Sequence, residues 1–310
     1  MAVEIIRGSD LRLAMSKLAQ SAYGTALSAA NLNAGKSFRP LAGVFSDPSI
    51  ILAGQGPRAF TGHEWATSDD EREVLRDLEF SLNFNANPFL VAWAAALALG
   101  SVASVQEGAT GHYTHTIRPT DPLSASGVQA KVSSLYLEAV GPDANRYKGI
   151  FPSLAVLGFT LTGRLRELAQ LSVDLLGSGK VDRATAVTLP ALSADRLLGL
   201  QWKVEITPSG QSLIDVTERV KEWSFVCRQN VDREAGYVPN AATPADGRFR
   251  SQLRFTNRTF SLTLAMLADR SKFGTNDVRD WKEARTKLDI LITIDSGVVA
   301  GKSFNDAHLF

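Results

Sequence analysis

The chain has 310 residues, 45% of them hydrophobic and 21% charged, which is enough apolar material for a sizeable core without disulfides or metals. Its 33 Lys and Arg stand against 32 Asp and Glu, a balance that argues against a dedicated nucleic-acid binder working through a strong basic field. The single Cys227 excludes an intrachain disulfide and a cysteine-based metal site, and no uninterrupted apolar run reaches the ~18 residues that mark a membrane-spanning helix.

Glu4, Arg7, Asp10 and Arg12 break up the N-terminus, so no secretory signal is expected and the reading is of a protein that folds in a cytoplasm. Leu11, Met15 and Leu18 sit at helical spacing within residues 11–20. Pro40, Gly43, Pro48, Gly54, Gly56 and Pro57 then punctuate a stretch that reads as a loop or arm lying over something else, such as a neighbouring subunit.

From Asp77 to Asn85 the even positions are Leu78, Phe80, Leu82 and Phe84, and the odd ones are all polar. This is a strand with one buried and one wetted face. It leads into the best-specified helix of the chain, Pro88 to Leu99, with Asn87 at the N-cap, Pro88 at the first position and Gly100 past the end. The body is apolar almost all round, which predicts cover on every side. Strands are predicted at Gly111 to Arg118 and Val128 to Val140, followed by a hairpin of Tyr147 to Leu161 and Leu168 to Leu176. Val181 to Leu198 reads as a linker and places a domain boundary near Ala191, giving modules 1–190 and 191–310. The second module carries predicted strands at Leu200 to Ile206, Leu213 to Cys227, Gln252 to Met266 and Leu288 to Ile294. A loop from Tyr237 to Gly247 and a polar helix from Asp277 to Lys287 separate them. Each half has alternating strands and one helix, so an internal duplication stays open. The fold class is mainly β with flanking helices.

Chemistry-bearing clusters are scarce. His112 and His115 are three apart among strand formers, which turns their side chains to opposite faces and argues against a metal site. Gly177, Ser178, Gly179 and Lys180 lack the spacing of a phosphate loop and read as the end of a hairpin. Asp69, Asp70, Glu71 and Glu73 read as a solvated acidic loop. Cys227, in the alternating run Trp223, Phe225, Cys227, reads as a buried structural thiol. No nucleophile elbow is present, and five dispersed tryptophans mark no sugar-stacking platform. No catalytic, cofactor or metal residues are assigned.

Four segments, in order, resemble the tail tube proteins of long-tailed, siphophage-like bacteriophages. They are Ser21 to Ala26, with Tyr23, Gly24 and Thr25; Leu78 to Phe84 followed by the helix ending at Gly100 and Ser101; Gly111 to Thr116; and Tyr147 to Leu161 continuing through Leu171 to Gly177. The chain departs from the family at Val220 to Asp232, where an Asn-rich turn is reduced to Asn230.

The resemblance implies a tail-tube-type β-sandwich or barrel, as one module or two in tandem. It implies a non-enzymatic virion protein, assembled in the bacterial host, whose stacked rings form the conduit for DNA ejection. Self-association as hexamers, or as trimers with pseudo-sixfold symmetry, is implied, as are the tape measure, tail terminator and distal tail proteins as partners and DNA as a transient occupant. Gly35 to Pro57 and Tyr237 to Gly247 are the candidate ring-bridging arms. Asp77, Glu79, Asn83, Gln170, Ser172 and Asp174 are the candidate channel-facing residues. The other readings are a different tail or neck component, a carbohydrate-binding β-sandwich or a β-rich hydrolase.

Overall fold

Alternating apolar positions need a shared buried face, and in the computed structural model the chain meets that need as a mostly β protein. The structure describes residues 11–16, 19–20, 23, 25–44, 49–54, 71–106, 113–120, 131–140, 146–193, 197, 202–232, 249, 253–267, 278–299 and 302–305. The elements begin with β1 (Leu11–Met15), α1 (Ala29–Asn33), β2 (Lys36–Phe38), β3 (Ala42–Val44), β4 (Ser49–Gly54), β5 (Glu71–Asn85) and α2 (Pro88–Leu99). There follow β6 (Gly100–Gln106), β7 (Tyr113–Pro119), β8 (Ser133–Val140), β9 (Arg146–Arg164) and β10 (Gln170–Gly177). The remainder is β11 (Trp202–Pro208), β12 (Ile214–Asp215), a single 3-10 turn, β13 (Val220–Asp232), β14 (Arg254–Met266), α3 (Val278–Glu283), β15 (Leu288–Val299) and β16 (Lys302–Asn305).

The 19-residue β9 organises the molecule. Its first half pairs with β8, which continues through β1 to β2. Its second half lies between β10 and β13, extending the sheet through β5 to β3 and β4 on one side and to β14 on the other. The change of partners occurs at Pro152 and Ser153, where the β8 register shifts. Proline cannot donate to a ladder, and Ser153 holds a left-handed φ of 59°. Its N–H donates to Gln20 Oε1 at 2.6 Å, while the Gln20 N–H donates to the Val132 carbonyl. Ser178 Oγ donates to the Pro152 carbonyl at 3.2 Å, so the turn that ends β10 also braces the bend.

One face of the large sheet carries the core. In a row across five strands lie Phe84, Leu171, Leu161, Phe225 and Leu262; the next row is Leu82, Val173, Phe159, Cys227 and Phe260. α2 lies over β9 and β10, burying Leu90, Trp93, Ala94, Leu97 and Ala98. A smaller sheet, ordered β12-β11-β15-β16, covers the rest. Trp202 of β11 meets Trp223 edge to face with ring centroids 5.8 Å apart, and both rings crowd Gly163. A Cβ there would lie 2.2 Å from the Trp202 ring, so only glycine lets the two layers close. The two halves of the chain thus share one core cluster, and β13 and β14 join the sheet of β9.

Several expectations need correction. Residues 11–15 form a strand, not a helix: Leu13, Ala14 and Met15 are all buried because sheet lies on both sides of β1 and a satellite core of Ala14, Leu32, Tyr136 and Ile150 covers its second face. The stretch 35–57, read as an arm, contributes β2, β3 and β4 to the sheet within its described part. The linker is a strap: Asp182 and Ile150 exchange backbone bonds of 2.9 and 2.8 Å, and the Ser193 N–H donates to the Ser37 carbonyl. Asp182 accepts from the Ala184 and Thr185 N–H groups, and the Thr185 bonds hold its carboxyl below the usual range. Helix α2 has the expected ends, Asn87 accepting from the Phe89 N–H at 2.9 Å and Gly100 at φ 93°, but Val91, Ala92, Ala95, Ala96 and Leu99 are only half-buried. Among the described residues, β9 and β10 pack on one side of it and the β6–β7 ribbon touches it as well. The polar helix spans Val278–Glu283 among the described residues and stops short of Lys287, and β6 is an unpredicted strand partnering the β7 segment. The Tyr237 to Gly247 loop lies outside the described residues.

Candidate functional site

The opposite face of β5, β10, β9, β13 and β14 carries a different chemistry. Strand register places Asn85, Gln170, Thr162, Ser224 and Thr263 in one row. Beside it run Asn83, Ser172, Thr160, Val226 and Ser261, then Ser81, Asp174, Gly158, Arg228 and Thr259. Hydroxyl and amide groups dominate, and the two charges in these rows, Asp174 and Arg228, are of opposite sign. They flank Gly158 from its two sides, with the Arg228 stem leaning over the glycine: a Cβ there would meet Arg228 Cγ at 3.5 Å and the Cys227 carbonyl at 2.9 Å. Ser81 Oγ donates to Asp174 Oδ1.

The face has definite ends. At one, the register shift beside Asp174 inserts Leu157, and beyond it β9 and β10 turn apolar on this side while Glu79 of β5, paired with Leu176, stays exposed. There Ala155 and Leu176 pack with Val132, Leu253 and Phe255. At the other, the turn from β9 to β10 forms a shallow notch of about 240 Å³ lined by Thr162, Arg164, Glu167, Leu168, Gln170 and Glu222. Arg164 Nε stands 3.0 Å from Glu222 Oε1, and that hydrogen-bonded carboxylate raises the guanidinium's pKa further. Between these ends no described element packs on the face.

The sequence-derived candidates converge here. Asn83 is paired with Ser172 and Ser81 with Asp174 in the ladder, while Gln170 lies opposite Asn85. Glu79, Asn83, Gln170 and Asp174 are exposed, and Ser172 is half-buried. The side chain of Asp77 lies outside the described residues, although its backbone pairs with Ser49. Sequence reading missed the half of the face that β13 and β14 supply, including Ser224, Arg228, Thr259, Ser261 and Thr263. The signal was present: polar residues interleave with Trp223, Phe225 and Cys227 and with Phe260, Leu262 and Leu264 as they do in β9 and β10. Assigning those strands to a separate module hid their continuity.

Such a surface offers hydrogen bonds without a concentration of charge. In the three rows described Arg228 is the one cation, so they hold no cluster of Lys and Arg of the kind that clamps phosphates. Among the described residues no three His, Cys, Asp or Glu converge as a metal-binding group. His115 is exposed on β7 with its Nδ1 2.8 Å from Ser104 Oγ, and His112 lies outside the described residues. No helix among those residues is long and apolar enough to cross a membrane. Comparison with protein-family models and with curated proteins finds no match for this chain.

The second notable feature is an edge. β14 pairs with β13 on one side and with no described strand on the other, over 13 residues. Phe260 is 46% exposed although it stacks on Phe225 in the core row. A long edge with a partly bare apolar face is a template for pairing with another chain.

Proposed function

We propose that this chain is the tail tube subunit of a long-tailed bacteriophage, a structural virion protein without catalysis. Copies close into rings through their sheet edges, β14 of one subunit meeting the β3 and β5 side of the next, and the polar face lines the bore. The observation that carries this reading is a nearly uncharged, hydroxyl-rich face that no described element covers, lying beside a 13-residue edge that no described strand joins. Head-to-tail contacts generate rings when the rotation closes, and closure removes every exposed edge.

One wall sheet per chain favours six subunits over three. Roughly thirty strands at ~4.8 Å spacing and a tilt of about 40° close at a backbone radius of roughly 30 Å. About fifteen close at roughly 15 Å, from which the inward side chains still subtract. The wider ring passes a hydrated duplex and the narrower one chokes it. A wall of Ser, Thr, Asn and Gln suits a conduit in which DNA must move on rather than bind.

Negative-stain electron microscopy of the purified protein tests the proposal. Rings or hollow tubes are expected at high protein concentration. A protein that stays monomeric there, and is captured by a glycan array, sinks the reading in favour of a carbohydrate-binding sandwich.

A further inference from the structure

The β6–β7 ribbon lies outside the two larger sheets and packs on the rest of the molecule through α2. It is a two-stranded sheet of seven residues a side, paired from Gly100 with Pro119 to Gln106 with Tyr113, and no described strand joins either edge. A two-stranded ribbon is marginal in water without a packing partner, and α2 is the described element that packs on this one. β6 carries no charge, so it lacks the usual protection of an open edge against pairing. Val105, at 65% the most exposed of the large apolar side chains described, shares one ribbon face with Ala103 and Thr116 by register.

Its root is fixed. The Thr120 N–H donates to the Leu99 carbonyl at 2.8 Å, closing the ribbon onto the end of α2. From β14, Arg258 donates through Nη1 to the Thr120 carbonyl at 2.5 Å and through Nε to Gln229 Oε1 at 2.9 Å. Gln229 is buried and donates in turn to the Val156 carbonyl of β9 at 2.8 Å. A three-strand network therefore pins the ribbon beside β14, the strand whose outer edge is open.

We infer that the β6–β7 ribbon is a clasp, extending from its Arg258 anchor across the β14 seam to pack Val105 on the adjoining copy of this chain in the same ring. The inference rests on the ring reading, because the occupant is the copy that pairs with β14. Three features specify that occupant: the ribbon starts at the open edge, it is uncharged along β6, and a strand added to that edge must run beneath its root.

Site-specific crosslinking tests it. Cys227 is buried and its thiol is pushed up to about 11, so it stays protonated and unreactive at neutral pH, and a Val105→Cys variant takes a single benzophenone maleimide. Irradiation of isolated single rings is expected to yield crosslinked dimers and higher ladders. Rings that form normally but yield only monomer on a denaturing gel overturn the clasp and leave the tube reading standing. So do crosslinks that arise only in stacked tubes. A labelled protein and a wild type that both fail to form rings overturn the tube reading itself, and the clasp with it. As a second arm, Val105→Lys is expected to raise the concentration needed for ring formation at least tenfold while leaving the thermal transition of the monomer unchanged. An unchanged assembly threshold contradicts the clasp.

Discussion

At the scale of single residues, the fold depends on a few positions where one atom decides whether layers meet. Gln20 supplies the acceptor for the Ser153 N–H at the bend of β9. Gln20→Ala removes that acceptor from the Ser153 backbone donor and is expected to cost about 1–3 kcal/mol in urea unfolding. Ser153→Gly, which relaxes the left-handed φ, should be neutral or stabilising. Gly163 is the second such position, since an added methyl would also stand 2.5 Å from Trp223 Nε1. Gly163→Ala must separate two rigid indoles, and a loss of about 1–3 kcal/mol with a perturbed near-ultraviolet circular dichroism spectrum is expected. Cys227 provides a pH signature. Burial raises its thiol from 9.0 to about 11, so its contribution to stability is fully present below pH 9 and is lost as pH rises towards 11. The unfolded chain releases that proton first. Chemical denaturation across this window should show a decline that Cys227→Ala removes, whatever the offset in stability the substitution brings.

At the scale of elements, β9 and α2 show how far local pattern determines structure. Asn87 caps α2 through the Phe89 N–H and also donates from Nδ2 to Ser193 Oγ at 3.1 Å, tying the helix start to the strap. Asn87→Ala should therefore cost about 2 kcal/mol or more, at or above the upper end for a cap, because the buried bond to Ser193 is lost as well. The helix and its caps were legible because Asn, Pro and Gly each act through local backbone geometry. The amphipathic strands were legible because Leu78, Phe80, Leu82 and Phe84 have a face to bury and a face to wet. β1 was not, since burial on both sides erases the alternation on which a strand reading depends, leaving Leu11 and Met15 at a helical interval by coincidence. β6 was hidden for the opposite reason: Gly100 to Gln106 has small and polar residues on both faces and draws its strand character from pairing with β7. Of the candidate surface, the β5 and β10 residues were found by alternation alone. The β13 and β14 residues needed knowledge of which strands pair across long stretches of sequence, and no local signal carries that.

At the scale of the whole molecule, the chain is interleaved rather than tandem in its β architecture. A boundary at Ala191 falls between β10 and β13, yet both flank β9 in one sheet and contribute to one core. A chain truncated there loses one neighbour of β9 along with the β11 and β15 layer, and it should fail to show a cooperative thermal transition. Among the described residues, one sheet face is polar with nothing packed on it, the other is largely covered, and the β14 edge has no second partner, with the β6–β7 ribbon rooted beside it. The open edge is a liability to a solitary monomer, and closure into a ring would remove it. The sharpest test of the tube proposal is an electron cryomicroscopy reconstruction of the assembled protein, with the subunit fitted as a rigid body. Rings are expected in which Asn83, Ser172, Thr160 and Ser261 face the axis and β14 continues into the next subunit's sheet. A ring whose bore is lined by another surface, or an assembly in which that polar face is buried against a second layer, would contradict the proposal.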